Sequence, residues 1–326
     1  MRLCLLESSY DGSLSEFRGH DDPSDAGPFL AAAHEVTRCL VKKVGAAEQI
    51  AGIAAGGDID VFVNFCDGAR DEDRAGIEVV EALERMRVAF TGAGSRFYEP
   101  TRAEMRAACA TLGITTPRAV DVKVLADVMA TGNLRTPLIV KHPNSYGSIG
   151  LTPSSRVTDR TRLAGEIVRM CERAGGALVE EFIEGREFTV LVAEDPDDAQ
   201  RPIALRPIEY RFPPGETFKH FGLKWITPGD LTAIPCEEPS LIERLKDISR
   251  RLFVALGGTG YARCDLRMNG DGELFLLEIN PNCGVFCGAA APGSADVILA
   301  HDPIGERGFV DLMLRGALAR RAEVTR

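Results

Sequence analysis

Four residues near the end of the chain have the types and spacing to hold a phosphate-bound cation. Residues 260–284 read GYARCDLRMNGDGELFLLEINPNCG. Two apolar-rich runs flank Asn269-Gly270-Asp271-Gly272, and Asp-Gly between such runs is a strong hairpin signal. With Asp271-Gly272 as a two-residue loop, Gly270 pairs with Glu273. That register sets Asp265 opposite Glu278 and Arg263 opposite Asn280. Residues two apart on a strand share a face, so the four form one polar patch. Directly opposed carboxylates repel. A cation removes the conflict, and carboxylate plus amide oxygens suit Mg2+ held jointly with a substrate phosphate. The competing reading is an ordinary solvated hairpin face. The apolar character of residues 274–279 argues against it.

These residues also carry a resemblance. Arg263-x-Asp265, then Glu278-Ile279-Asn280-Pro281 and Gly284, resemble the C-terminal metal-binding signature of ATP-grasp enzymes. Among them the chain is most similar to the D-alanine–D-alanine ligases, and the likeness extends more weakly over nearly the whole length. The resemblance implies an α/β protein: an ATP-grasp fold with α+β central and C-terminal domains, preceded by an N-terminal parallel-sheet α/β domain. It implies ATP and Mg2+ (or Mn2+) as cofactors, and a carboxylate joined to an amine through an acyl-phosphate. Asp265, Glu278 and Asn280 become the metal ligands, Arg263 the catalytic residue that stabilises an oxyanion, Leu277 an ATP contact and Gly284 a substrate contact.

Composition sets outer bounds. A chain of 326 residues can form two or three domains. A net charge of −10 and a pI of about 5.2 argue against nucleic acid or an anionic membrane as partner. No apolar run approaches the roughly 20 residues of a membrane span. The start, MRLCLLESSYDG, reads as a strand and a turn rather than a signal peptide. The nine cysteines lack a paired-knuckle spacing, Cys283 and Cys287 having no matching ligand pair, and reduced cytoplasmic thiols are the expectation. The partners expected are small carboxylate and amine substrates, with a homodimer left open.

The remaining elements must position the patch. Residues 3–6 read as a strand, 29–44 as a helix with Leu30, Ala33, Val36, Leu40 and Val44 on one face, 61–65 as a buried strand, 73–86 as a helix and 88–90 as a strand. Strands alternating with helices imply a parallel sheet over about residues 1–95. In the resembled ligases this domain helps hold the first substrate.

A helix over 101–112 starts at Thr101. The resemblance sets Arg102 where those ligases carry a phosphate-contacting lysine; a solvated helix arginine is the alternative. Residues 137–141 form a strand ending in Lys141, and residues 143–150 are a small-residue loop whose backbone can close round a phosphate. The resemblance makes Lys141 and Ser148 ATP contacts. Residues 159–174 are an amphipathic helix. The run 177–187 then matches the family hinge between the central domain (96–185) and the C-terminal domain (186–326). There Glu180, Glu181, Phe182 and Ile183 meet adenine along an edge strand with free backbone groups, and Glu187 meets ribose. An exposed-strand charge is the alternative for Glu187.

Residues 206–228 read as a long excursion without regular structure. The resemblance makes Lys224 there a phosphate contact and Trp225, the sole tryptophan, a substrate contact; a core anchor is the alternative for Trp225. Residues 240–256 and 306–321 are helices.

Three departures from the family pattern bear on substrate. Trp225 stands at a tyrosine position, Gly147 at a serine position, and no residue aligns with a first-substrate glutamate, although Glu7, Asp11 and Glu16 lie nearby. They point away from D-alanyl-D-alanine as main product. A nucleotide-binding regulatory protein without ligase chemistry, a phosphotransferase and a D-alanine–D-alanine ligase proper are the competing readings.

Overall fold

The protein is described by a computed structural model that covers residues 1–13, 24–144, 147–223, 231–288 and 291–324. Lys224 and Trp225 lie outside the described residues, as does Glu16.

The N-terminal part contains β1 (Arg2–Ser9), α1 (Gly27–Ala31), β2 (Glu35–Lys42), α2 (Ala46–Ala55), β3 (Val61–Asn64) and α3 (Ile77–Arg85). The strands form a parallel sheet in the order β2-β1-β3, extended by a parallel bridge from Phe62 to Phe90. Alternation along β1 divides its side chains between two cores. Cys4 and Leu6 pack with residues of α2 and α3, such as Ile50, Val80 and Leu83. Leu3 and Leu5 pack toward Tyr261, Ile298 and Phe309 of the C-terminal part.

The helix expected over 29–44 is not there. Helix α1 stops at Ala31, and residues 35–42 are the edge strand β2, aligned Leu3 to Val36 and Ser9 to Lys42. Val36, Thr37 and Val41 are β-branched and fit a pleated edge. The supposed apolar stripe is solvated at Leu40 and Val44. The helix of this stretch is α2, set between Gly45 and Gly56.

Next come α4 (Arg102–Leu112), β4 (Ala119–Val122), β5 (Leu138–Lys141), β6 (Arg156–Val157), α5 (Leu163–Ala174) and β7 (Ala177–Glu181). Helix α4 opens with a Thr101–Glu104 capping box and closes at Gly113, whose φ of 66° is left-handed. The antiparallel sheet has the order β4-β7-β5-β6, so β7 is interior. The expectation that residues 180–183 lie on an open edge fails at three positions: Glu180 is paired on both sides, with Ala119 and Ile139, the Glu181 N–H donates to the Arg118 carbonyl at 2.9 Å and the Phe182 N–H to the Pro137 carbonyl at 2.8 Å.

The C-terminal part holds β8 (Arg186–Ala193), β9 (Ile203–Ala204), β10 (Ile208–Arg211), β11 (Thr232–Pro235), α6 (Pro239–Ala255), β12 (Tyr261–Met268), β13 (Leu274–Pro281), α7 (Ser294–His301) and α8 (Gly305–Val324). Its antiparallel sheet runs β11-β10-β8-β12-β13, with β9 beside β8. The expected excursion at 206–228 thus begins as strand β10. One face of this sheet packs under α6 and α4 through Phe188, Val190, Cys264, Leu276 and Met105. The other face changes character along each strand. Leu191, Ala193 and Tyr261 are covered with residues of α7 and α8. Glu187, Thr189, Arg263, Asp265 and Arg267, on the same face, lie beyond that cover. Among the described residues no helix is long and apolar enough to cross a membrane.

The β12–β13 hairpin departs from the expected register twice, by one residue each time. The loop has three residues, Gly270 to Gly272: Gly272 N–H donates to Asn269 O at 3.1 Å, Asn269 N–H to Glu273 O at 3.0 Å, and Gly272 has φ 77°. That is the turn-plus-left-handed-residue form of a three-residue hairpin. A β-bulge then intervenes: Leu266 pairs with Leu276, but Asp265 pairs with Glu278. Leu277 is the extra residue. The two offsets cancel, so Asp265 still faces Glu278 and Arg263 still faces Asn280.

Candidate active site

The polar half of the large sheet faces the four-stranded sheet across a cleft of about 860 Å³, open mouth included. The bulge sets Leu277 and Glu278 both on its wall. Arg102, Lys141, Ser148, Glu180, Glu181, Phe182, Ile183, Glu187, Arg263 and Asp265 also line it. Twelve of the expected site residues are therefore brought together. Asn280 and Gly284 are not among the lining residues; Gly284 follows β13, where a side chain would meet the Cys287 sulfur at 3.4 Å.

At the carboxylate patch, Asp265 is 4% exposed and accepts from Thr189 Oγ1 at 2.6 Å and Arg263 Nη2 at 3.0 Å. Glu278 accepts from Arg102 Nη2 at 2.8 Å and Asn280 Nδ2 at 3.1 Å. Burial works against ionised Asp265, but Arg263, Lys219 and the Thr189 hydroxyl outweigh it and hold its carboxyl at about 2. Burial opposes ionised Glu278 too; Arg102, Lys141 and the Asn280 amide overcome that and the Asp265 charge, and its carboxyl is held below the usual range. A cation was expected to relieve the Asp265–Glu278 repulsion. Instead each carboxylate already has its own arginine.

The patch still fits a hard divalent ion. The buried Asn280 Oδ1 accepts no hydrogen bond among the described residues, and it lies on the same face as the two carboxylates. Two carboxylates and an orphaned amide oxygen are the donors Mg2+ takes alongside phosphate. Among the described residues no cluster of three or more His, Cys, Asp or Glu side chains offers another metal site.

The opposite wall is part charged and part apolar. Lys141, at the end of β5, pairs with Glu180 of β7 at 2.6 Å. Glu181 is tied to the Arg135 N–H at 2.9 Å and the Arg118 guanidinium at 3.3 Å. Phe182, Phe218, Ile139 and Leu151 form a small apolar cluster, with the Phe182 and Phe218 rings edge-to-face at 5.9 Å. Arg267 stacks over Phe182 at 4.5 Å. Among the described residues nothing accepts from the Ile183 N–H, which leaves one of the expected backbone donors at the apolar end. Ser148 holds a left-handed φ of 64° and donates its hydroxyl to the Lys219 carbonyl at 2.8 Å.

Three charged or ionisable cleft residues, Arg267, His142 and Lys219, escaped the sequence reading, as did Thr189, which bonds Asp265. Arg267 follows Arg263 and Asp265 in strict alternation, and that period was signal enough. Thr189 meets Asp265 only because β8 pairs with β12. His142, next to Lys141, accepts from the Asn144 N–H through Nδ1 at 3.0 Å; burial pushes its pKa down, Asp71 resists, and Arg102 adds to the fall. Lys219 is one lysine in an irregular segment, with no local signal.

Comparison with known proteins identifies relatives of the chain. A family model described as D-ala D-ala ligase C-terminus matches residues 114–291. The chain is similar to a D-alanine–D-alanine ligase of Gluconobacter oxydans (strain 621H), 30% identical over 93% of this chain and 90% of the relative. It is 29% identical to one of Pseudomonas fluorescens (strain Pf0-1), over 82% of this chain and 81% of the relative. In fold it matches the Coxiella burnetii D-alanine–D-alanine ligase with TM-score 0.74 at 15% identity, over 100% of this chain and 96% of that one. The Bacillus anthracis enzyme complexed with ATP gives 0.71 at 18% identity, over 99% of both chains. The chain belongs to the D-alanine–D-alanine ligase family of ATP-grasp enzymes, the ADP-forming carboxylate–amine ligases.

Proposed function

We propose that the cleft binds ATP with Mg2+ and that the acid it activates is not D-alanine. The apolar cluster around Phe182, and Leu277 lining the same cleft, suit adenine, with Ile183 N–H as donor and Glu187 toward ribose. Lys141 and Arg102 offer positive charge to phosphate, and Lys224 has the same expected role. Asp265, Glu278 and Asn280 would hold the metal. ATP supplies the phosphoryl group that activates the substrate carboxylate for attack by an amine. Arg263 is clamped by Asp265 and by Ser294 Oγ at 3.1 Å, and a fixed guanidinium suits a developing oxyanion. The same reading divides the chain near residues 95 and 185; the three sheets support it, although α4 packs on the large sheet.

One observation carries the substrate reading. Glu7 and Asp11, the described acidic residues nearest the expected first-substrate glutamate, are spent on the fold. Glu7 accepts from the Ser24 N–H at 2.6 Å and pairs with Arg38 at 3.3 Å; Asp11 pairs with Lys42. An α-amino group would have to displace these partners. A site without its substrate's hydrogen-bonding partners loses discrimination for that substrate. ADP release, measured with D-alanine alone and then with pairs of small acids and amines, tests this. Turnover is expected only with a different acid. Efficient D-alanyl-D-alanine formation at millimolar D-alanine would overturn it.

A further inference from the structure

Glu187 is doubly engaged. Its Oε1 lies 3.0 Å from the Lys219 ammonium, and its Oε2 accepts from Arg267 Nη1 at 3.2 Å. The two cations differ in how they are held. Arg267 also donates to the Gly185 and Thr217 carbonyls, both at 3.0 Å, and stacks on Phe182, so it is fixed whatever Glu187 does. Lys219 Nζ has, among the described residues, only Glu187 and the face of the Tyr210 ring, 3.8 Å from its centroid. Burial works against its charge, yet Tyr210, Asp265 and Glu187 more than compensate, and the ammonium persists. It therefore stands, charged and lightly tethered, on the cleft wall within the field of Asp265.

The Lys219 backbone is fixed to the facing loop. Its carbonyl accepts the Ser148 hydroxyl at 2.8 Å, and two residues on the Phe221 N–H donates to the Leu151 carbonyl at 3.1 Å. Ser148 keeps a left-handed φ although it is not glycine, a conformation that needs such an anchor. The ammonium is thus delivered to the cleft from a segment stitched to the glycine loop of residues 147–150.

We infer that Lys219 is an exchange cation for the nucleotide, its ammonium passing between the Glu187 carboxylate and the ATP polyphosphate. The exchange frees Glu187 Oε1 to accept from the ribose hydroxyls, while Arg267 keeps the other oxygen in place. Two recognition events that compete within the protein thereby become cooperative on one ligand. A nucleoside must break the Lys219–Glu187 pair with no anion to take the lysine; a nucleoside triphosphate supplies that anion. The cleft then selects charged nucleotide over nucleoside by more than the added phosphate contacts alone. This rests on the cleft being the ATP site.

Calorimetric titration of the full chain with ATP and with adenosine tests it. Absence of ATP binding by the unaltered protein would overturn both readings. Given that binding, Lys219→Met should weaken ATP about tenfold or more, the worth of a charge-assisted hydrogen bond, and leave adenosine equal or tighter. Lys219→Arg should restore most of the ATP affinity. Equal losses for both ligands would make Lys219 merely structural, and an unchanged ATP affinity would remove it from the site; either overturns the inference. Glu187→Gln offers a second arm if Lys219→Met fails to fold. It releases the ammonium, so the preference for ATP over adenosine should rise, and an unchanged preference overturns the exchange.

Discussion

Arg102, the first residue of α4, donates to Glu278 on β13 at 2.8 Å across 176 positions of sequence. Opposite, Arg263 holds Asp265 at 3.0 Å. The two carboxylates at the centre of the cleft therefore carry their charge without mutual repulsion deciding their positions. An incoming metal would shift this balance rather than create it.

The patch reading predicts the behaviour of Glu278→Gln. The change keeps size and removes one of two carboxylates. Metal stabilisation of transition-state charge is worth several kcal/mol, so ADP formation should fall by roughly a hundredfold or more. Circular dichroism should still report a folded protein, because the carboxamide oxygen can still accept from Arg102. Wild-type turnover in the folded variant would sink the assignment.

The pH dependence of Asp265 has a definite sign. Its folded carboxyl lies at about 2, below the ordinary value of about 4. A depressed carboxylate adds stability that is complete above the unfolded pKa and disappears as pH falls through the folded one. Asp265→Asn should therefore be less stable than wild type near neutrality, with Arg263 and Lys219 left facing each other. The gap in urea midpoint should narrow as pH drops from about 5 toward 3. A constant gap over that interval would mean that Asp265 is not held by its cations.

Lys141 and Glu180 form a pair whose side chains are only 12% and 6% exposed. Lys141→Ala leaves a buried carboxylate unpaired, a loss of about 3 kcal/mol. Lys141→Ala with Glu180→Gln should recover most of that stability and none of the ATP affinity. Recovery of ATP affinity in the double variant would show that Lys141 acts on the fold alone.

How much of this was legible in the sequence depends on the range of the contact. The Asp265–Glu278 pairing is local to one hairpin, but the expected two-residue Asp-Gly loop reached it only because the extra loop residue and the Leu277 bulge cancel. The Leu277 bulge was not legible, because the Leu-rich run 274–279 fits either register equally well. The β2 strand was misread since Val36 and Leu40 are four apart, a helical spacing, while its pairing with β1 lies some thirty residues away. Thr189 meets Asp265 only through the order of strands in a sheet, and Lys219 meets Glu187 from an irregular segment; periodicity within any one strand encodes neither.

Leu277 supplies the last test, at the apolar end of the cleft. The bulge presents it beside Glu278, so on the proposed reading one backbone irregularity would serve both the base and the metal end. Leu277→Ala removes apolar surface and touches no charge. It should weaken ATP and adenosine by the same factor, about tenfold for a largely buried leucine contact. Lys141→Ala with Glu180→Gln, by contrast, should weaken ATP and spare adenosine. Plotting the two affinities against each other for both proteins separates base from phosphate: Leu277→Ala should fall on the diagonal and the Lys141 double variant off it. If Leu277→Ala lowers ATP affinity but not adenosine affinity, the adenine is not seated against the bulge.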